Sequence, residues 1–366
     1  MDGNGNLKGY TVGFIVFLVL LSFIMRSFAP LVIVAIIVLA IYQERKKITS
    51  SQGSASTEDD NIRKLRAING ALEIESIDTA NKTGRFHASE GDDIYTTTFQ
   101  SCTCPDFTKR KKPCKHMYRL KIECGEPIGD VAHKVFQPVQ IQDYTCLSGG
   151  YCTYANWEMK GIYPETNRKR TSRYYAANEE EAYNKAIEDG FIEPIELKPI
   201  PFPDATYAQK NLISKEGFII PPGANKMDAS EMITSILAED EELADTGLAK
   251  YAFDKGINFS CCCGKHLLEI TTFSDLVDLD KVVFYVYAFH QTLCRMKISD
   301  PRKSPHYEKY NEIGTHIMAD QGLMKSFKMA IPDFNTYEAG NFSDMFCPSK
   351  NTMIYKYISS QFKDLS

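Results

Sequence analysis

The hydrophobic pattern is densest at the start of the chain. Tyr10–Met25 is a sixteen-residue apolar run, Arg26-Ser-Phe-Ala-Pro30 interrupts it, and Leu31–Tyr42 continues it before Gln43-Glu-Arg-Lys-Lys47. One helix through both runs would be about 50 Å long, well beyond the roughly 30 Å hydrocarbon core of a bilayer. It would also hold Arg26 near the bilayer centre, at a cost on the order of 3 kcal/mol. Two short helices turning at Arg26–Pro30 avoid that cost and place Lys8 and Arg45–Lys47 on one side, as the positive-inside rule prefers. The pattern therefore predicts an integral membrane anchor over 1–47, a helical hairpin of 10–25 and 31–42, with a single tilted span as the alternative. The weak charge before the first run, and the presence of a second, argue against a cleavable leader.

After the anchor the pattern changes character several times. Residues 48–60 show no apolar periodicity and read as a flexible linker. Over 61–125, Ile62, Leu65 and Ile68 fall at helical spacing, Asn69-Gly70 marks a turn, and strand-like runs follow at Leu72–Ile77, Gly84–His87 and Asp93–Phe99. Residues 150–200 predict a ββαβ unit: a strand over Tyr154–Gly161, a polar turn, and a return over Thr171–Ala176. A helix capped at Asn178 then runs to Gly190, and a last strand covers Phe191–Leu197. Residues 204–238 read as a small module of two helices around Gly217–Gly223. Residues 250–366 read as mostly helical, with helices over Ser274–Met296, from Ser304-Pro305 to Met329, and over Ser349–Leu365. The fold class expected is α+β: a transmembrane segment, a small zinc-stapled αβ module, the ββαβ unit and a C-terminal helical domain.

The zinc in that expectation comes from Cys102-Thr-Cys104-Pro-Asp-Phe-Thr-Lys-Arg-Lys-Lys-Pro-Cys114-Lys-His116. Three thiols and an imidazole can close a tetrahedral shell around one Zn2+. Cys102 and Cys104 sit where a strand meets a turn at Pro105-Asp106. Pro113 then opens a helix, Cys114–Glu123, whose first turn carries Cys114 and His116. Four protein ligands leave no open position, so the site is expected to be structural rather than catalytic. A module of about 65 residues is marginal without such a staple.

The pattern Cys-x-Cys…Cys-x-His behind a β-hairpin resembles the SWIM zinc finger, with Cys-Thr-Cys-Pro-Asp-Phe and Pro-Cys-Lys-His most similar to that family. The resemblance covers about a sixth of the chain. It implies a nucleic-acid or protein interaction role and says nothing of the regions outside it.

Composition narrows the picture. The net charge of −5 excludes a uniformly basic nucleic-acid coat, so any polyanion contact must come from a local patch. Lys109, Arg110, Lys111 and Lys112, with Lys115 beside a ligand, are the candidate polyanion contacts; the same cations would also compensate a site of three thiolates. Arg168-Lys169-Arg170 and Arg173 form a second basic cluster, readable as a solvated turn. Eleven cysteines, three of them adjacent at Cys261–Cys263, form no disulfide framework, and zinc-ligating thiols need a reducing compartment. That places 48–366 in the cytoplasm. Cys261 and Cys263 with His266 are a second candidate metal group, although successive side chains diverge and buried small residues are the plainer reading.

No paired carboxylates, nucleophile elbow or nucleotide fingerprint stand out, and no small-molecule substrate is evident. Three functions follow. The first is a membrane-anchored protein whose zinc finger presents a nucleic-acid or protein surface. The second is a scaffold in which zinc only stabilises the fold and partners dock on the C-terminal helices. The third is an enzyme with its site in 250–366.

Overall fold

The computed structural model describes residues 55–89 and 91–362. The first described helix, α1 (Ala55–Ile68), starts inside the stretch read as a linker. Strands β1 (Ile74–Asp78), β2 (Thr83–His87) and β3 (Ile94–Thr98) then form an antiparallel meander in chain order. Helices α2 (Pro105–Arg110) and α3 (Lys115–Glu123) follow. Leu72 and Phe86 bury against Leu120 of α3, so the apolar faces of sheet and helix close on each other.

A short strand β4 (Lys134–Val135) leads to the second sheet, with β5 (Ala155–Tyr163), β6 (Arg168–Ala176), α4 (Glu179–Glu188) and β7 (Ile192–Ile200). Its strand order is β6-β5-β7, antiparallel throughout. Alternation sends Trp157, Met159 and Tyr174 to one face, where they meet Ala182 and Ala186 of α4. Asn178 caps α4 through Glu181 N–H at 2.9 Å, the expected N-cap bond.

Helix α5 (Tyr207–Lys215), strand β8 (Phe218–Ile219) and helix α6 (Lys226–Leu237) come next, and both helices carry capping boxes, at Thr206/Gln209 and Asn225/Asp228. Strand β8 pairs in parallel with β4. The Asn69 side chain reaches the same place, donating to Ser214 Oγ and to Phe218 O, each at 2.9 Å, and accepting from Ile220 N–H at 3.0 Å. A residue readable locally as a turn former thus clamps the first sheet region to α5 and β8.

The remaining chain is helical: α7 (Thr246–Asp254), α8 (Lys265–Asp275), α9 (Asp278–Leu293), α10 (Tyr307–Ala319), α11 (Gln321–Lys328), α12 (Phe334–Glu338) and α13 (Met353–Gln361). Helix α9 is the centre of the largest core, buried at every position from Val282 to Gln291. Helix α10 crosses it closely because Gly314 has no side chain; a Cβ there would lie 2.9 Å from Val283 Cγ2. The expected single helix from Ser304-Pro305 to Met329 is instead two. Asp320 ends α10 and caps α11 by accepting Leu323 N–H at 2.8 Å, so an acid inside an apolar repeat acts as a helix start.

One expectation is corrected. The anchor residues, 10–25 and 31–42, lie outside the described residues, and among the described residues no helix is long and apolar enough to cross a membrane. Even α9, apolar nearly all round, spans only about 24 Å against a core of roughly 30 Å and begins with Asp278 and Asp280. The fold is a mixed α/β chain with a Cys/His cluster. The transmembrane fold description and the membrane localisation built on it are not retained.

From Asn61 onward the described chain forms one compact unit. Its segments meet at Asp228, fully buried, whose carboxyl accepts Asn225 N–H (2.9 Å), Tyr151 N–H (3.1 Å), Ser260 Oγ–H (2.6 Å) and the Cys152 thiol (3.3 Å). One helical turn on, Glu231 accepts Ser260 N–H at 2.9 Å. Burial, with the Asp228 carboxyl close by, pushes Glu231 up to about 8. A carboxyl raised in the folded state contributes stability that is complete below its unfolded value near 4.5 and is lost as pH rises toward 8. Glu231→Gln is therefore expected to flatten the pH dependence between 5 and 8 and to melt higher than wild type at pH 8. Thermal melts of both proteins across that range check this; parallel curves would refute it.

Candidate metal centre

Each cysteine and histidine of the cluster is set by a local turn. After β3, Thr98 N–H bonds Ser101 O at 2.8 Å, and the chain doubles back so that Cys102 bridges Thr97. Cys104 is the N-cap of α2; its sulfur accepts Phe107 N–H at 3.5 Å, and Pro105 sits at the first helical positions, where its missing N–H costs nothing. Lys111 ends α2 in the left-handed region, φ 56°, which turns the chain back toward Cys114. Cys114 is the N-cap of α3 and His116 lies in its first turn.

These turns bring the four side chains together. One ligand atom from each of Cys102, Cys104, Cys114 and His116 lies within 4.8 Å of the others, and all four residues are buried. Among the described residues this is the one such group of three or more metal-type side chains. His116 Nδ1 is 3.8 Å from Cys102 Sγ and 3.7 Å from Cys114 Sγ. Bond lengths of about 2.3 Å to sulfur and 2.0 Å to nitrogen give tetrahedron edges of roughly 3.5 Å, so the spacing fits one zinc ion. Nε2, the other ring nitrogen, is buried without a hydrogen-bond partner, and the His116 ring packs against those of Phe86 and Tyr95 at centroid distances of 5.4 Å.

The electrostatics point the same way. Thiols of Cys104 and Cys114 hydrogen-bond to the Cys102 sulfur and hold it far below the ordinary thiol range, with Thr97 Oγ1 3.1 Å away adding support. That same contact, with Cys104 and burial, drives Cys114 upward. One thiolate forms readily and opposes the next, so full ionisation of the set needs a cation.

Residues 95–125 match the SWIM zinc finger family. This segment is a SWIM zinc finger. The finger carries a structural zinc, for which its four buried ligand groups leave no open position. No curated protein and no solved structure matches the chain.

The five basic residues around the finger do not share one environment. Lys109, Lys111 and Lys112 are exposed. Arg110 pairs with Asp106, which also receives Arg63 Nε at 3.2 Å. Lys115 is half-buried, donates to Ser89 Oγ at 2.7 Å, and is shifted below the usual lysine range by burial first and by Arg66 second. Arg63, 6% exposed, belongs to this support, and no short-range signal marks it. The i,i+4 spacing of Asp106 and Arg110 could have been read from the sequence.

The second candidate group is not assembled. Cys261 and Cys263 point into the C-terminal core, whereas Cys262 joins Phe136, Ile213 and Phe218 in a neighbouring one. Burial pushes the Cys261 thiol up to about 12 and raises those of Cys262 and Cys263 as well. His266 stacks on Phe342 at 4.3 Å and meets Glu269 Oε2 at 3.0 Å.

Proposed function

We propose that Cys102, Cys104, Cys114 and His116 hold the zinc, and that the finger is the recognition element of an interaction protein. Its exposed lysines meet a nucleic acid or an acidic protein surface. The observation that carries this reading is the division of labour in the finger. The metal site is closed and buried, so it supplies rigidity rather than chemistry. Lys109 on α2, and Lys111 and Lys112 just after it, are exposed. The test is titration of the zinc-loaded full chain with labelled single- and double-stranded DNA and RNA at 50 and 200 mM salt. Lys109→Glu/Lys111→Glu/Lys112→Glu is expected to weaken binding about tenfold or more and to flatten the salt dependence, with zinc content unchanged. Equal binding by this variant defeats the finger as the polyanion contact.

A scaffold reading has one observation in its favour. Met318, Met324 and Met329 line an open groove of about 470 Å3 on α10 and α11 beside Lys325 and Lys328, a surface suited to an acidic amphipathic helix. Binding to such a peptide that Met324→Glu abolishes and the finger variant leaves intact would favour it. No such binding would discard it.

A further inference from the structure

Strand β6 carries Arg168, Lys169, Arg170 and Arg173 and no carboxylate in its nine residues. All four cations are exposed, and among the described residues none of them is ion-paired. The region around the finger is mixed in this respect. There Lys82 pairs with Glu126 (2.8 Å), Arg85 with Glu75 (2.7 Å), and Arg110 and Arg119 with Asp106 and Glu123. Among the described residues, exposed cations without an ion pair therefore stand both on the finger, at Lys109, Lys111 and Lys112, and on β6, where every cation of the strand is of this kind.

Basic residues on an edge strand often serve only to block edge-to-edge pairing, and β6 is an edge. The opposite edge of the same sheet shows how little that protection needs. Strand β7 is shielded by Pro194 and Pro199 with Glu193 and Glu196. Four like charges on β6 repel one another and exceed what shielding requires. We propose that the β5–β6 hairpin is a duplex nucleic-acid-binding ribbon whose β6 cations contact backbone phosphates.

The geometry suits that ligand. Lys169 and Arg173 alternate with Arg168 and Arg170, so cations leave both faces of the strand. From Arg168 to Arg173 the strand extends about 17 Å, and a two-stranded ribbon enters a major groove about 12 Å wide. Lys160 of β5 sits directly opposite Thr171 on the same face, where it pairs with Glu158 at 3.3 Å. Glu158, directly opposite Arg173, and Glu196, opposite Lys160, interrupt the basic surface toward the sheet centre and β7, which confines the contact to β6 and its turn. Behind the ribbon, Trp157, Met159 and Tyr174 are locked against α4, and Trp157 Nε1–H bonds Ala176 O at 3.1 Å. Arg170 lies over the Tyr163 ring, 4.7 Å from its centroid, which limits the freedom lost on binding. Single-strand binders rely on rows of stacked aromatics, and the outward face of β6 carries a single exposed ring, Tyr175, beside Lys169, Thr171 and Arg173.

This surface is separate from the finger loop, and the test keeps the two apart. Zinc-loaded full chain is titrated with a 20-base-pair DNA duplex, a 20-nucleotide single strand and phosphatidylserine vesicles at 50 and 200 mM salt. Arg168→Glu/Arg170→Glu/Arg173→Glu is expected to weaken duplex binding at least tenfold and to lower the log–log salt slope by about 3, near 0.9 per phosphate contact. Arg168→Gln/Arg170→Gln/Arg173→Gln, checked by circular dichroism and zinc content, should show the same direction with a smaller loss. Duplex affinity unchanged in both variants would overturn the proposal, as would a loss seen only in the finger variant. Tighter binding to the single strand, or binding to vesicles without binding to duplex, would overturn it too.

Discussion

Stripping zinc from the full chain is expected to unfold the finger region at temperatures where the C-terminal helices stay folded. The apolar core at 61–125 is small, centred on Leu65, Leu72, Phe86 and Leu120, and a core of that size supplies only about 3–5 kcal/mol. Structural zinc contributes apparent binding energy on the order of 10 kcal/mol, which counts as folding energy because the site does not pre-exist in the unfolded chain. Removing the ion also leaves thiolates that must take up protons or repel one another. Cys114→Ser should lose the metal and mimic the stripped protein, since Cys114 is fully buried and also starts α3. Zinc content by atomic absorption, with hydrogen exchange resolved along the chain, gives the readout. Full protection of 95–125 after the metal has gone would refute the staple.

Asp228→Ala is expected to cost roughly 3–5 kcal/mol, because it leaves several buried donors without an acceptor at once. The carboxyl joins three stretches far apart in sequence: Tyr151–Cys152 before β5, the start of α6, and Ser260 before α8. There is no slack for a shifted backbone to compensate. Gly150 lies so close, at φ 80°, that even a Cβ would come within 2.5 Å of Asp228 Oδ2. Urea unfolding followed by tryptophan fluorescence reports on this region, since Trp157 lies in β5 and is the chain's one tryptophan. A loss below about 1 kcal/mol would mean that water or a rearranged loop replaces the carboxyl.

The two predictions differ in how visible their causes are in the sequence. The zinc finger was legible because its whole apparatus spans fifteen residues: turn formers at Pro105 and Pro113, N-cap positions at Cys104 and Cys114, and four metal-type side chains at fixed spacing. The cap at Asn178, the stop at Gly190 and the alternating strands of the second sheet belong to the same class of local signals, each the result of backbone groups satisfied by near neighbours. Asp320 marks the limit of such reading. Periodicity carried one helix across it, but the Asp side chain takes a backbone N–H and starts another.

The apolar run at 10–42 showed only that a hydrophobic stretch exists. Hydrophobicity does not distinguish between the surfaces able to bury it. Tertiary structure alone decided the rest. Asn69 bonds groups 145 to 151 residues away, Asp228 gathers donors from three segments, and Cys261–Cys263 divide between two cores. The same holds for the basic clusters. Counting charges marked both Lys109–Lys112 and Arg168–Arg173, the second more readable as a solvated turn, and the fold pairs Arg110 with Asp106 while leaving the β6 cations without an ion pair among the described residues. Local sequence fixes what a side chain can bond. Which partner reaches it is set by chain segments that arrive only when the core closes, and no periodicity within either segment records that encounter.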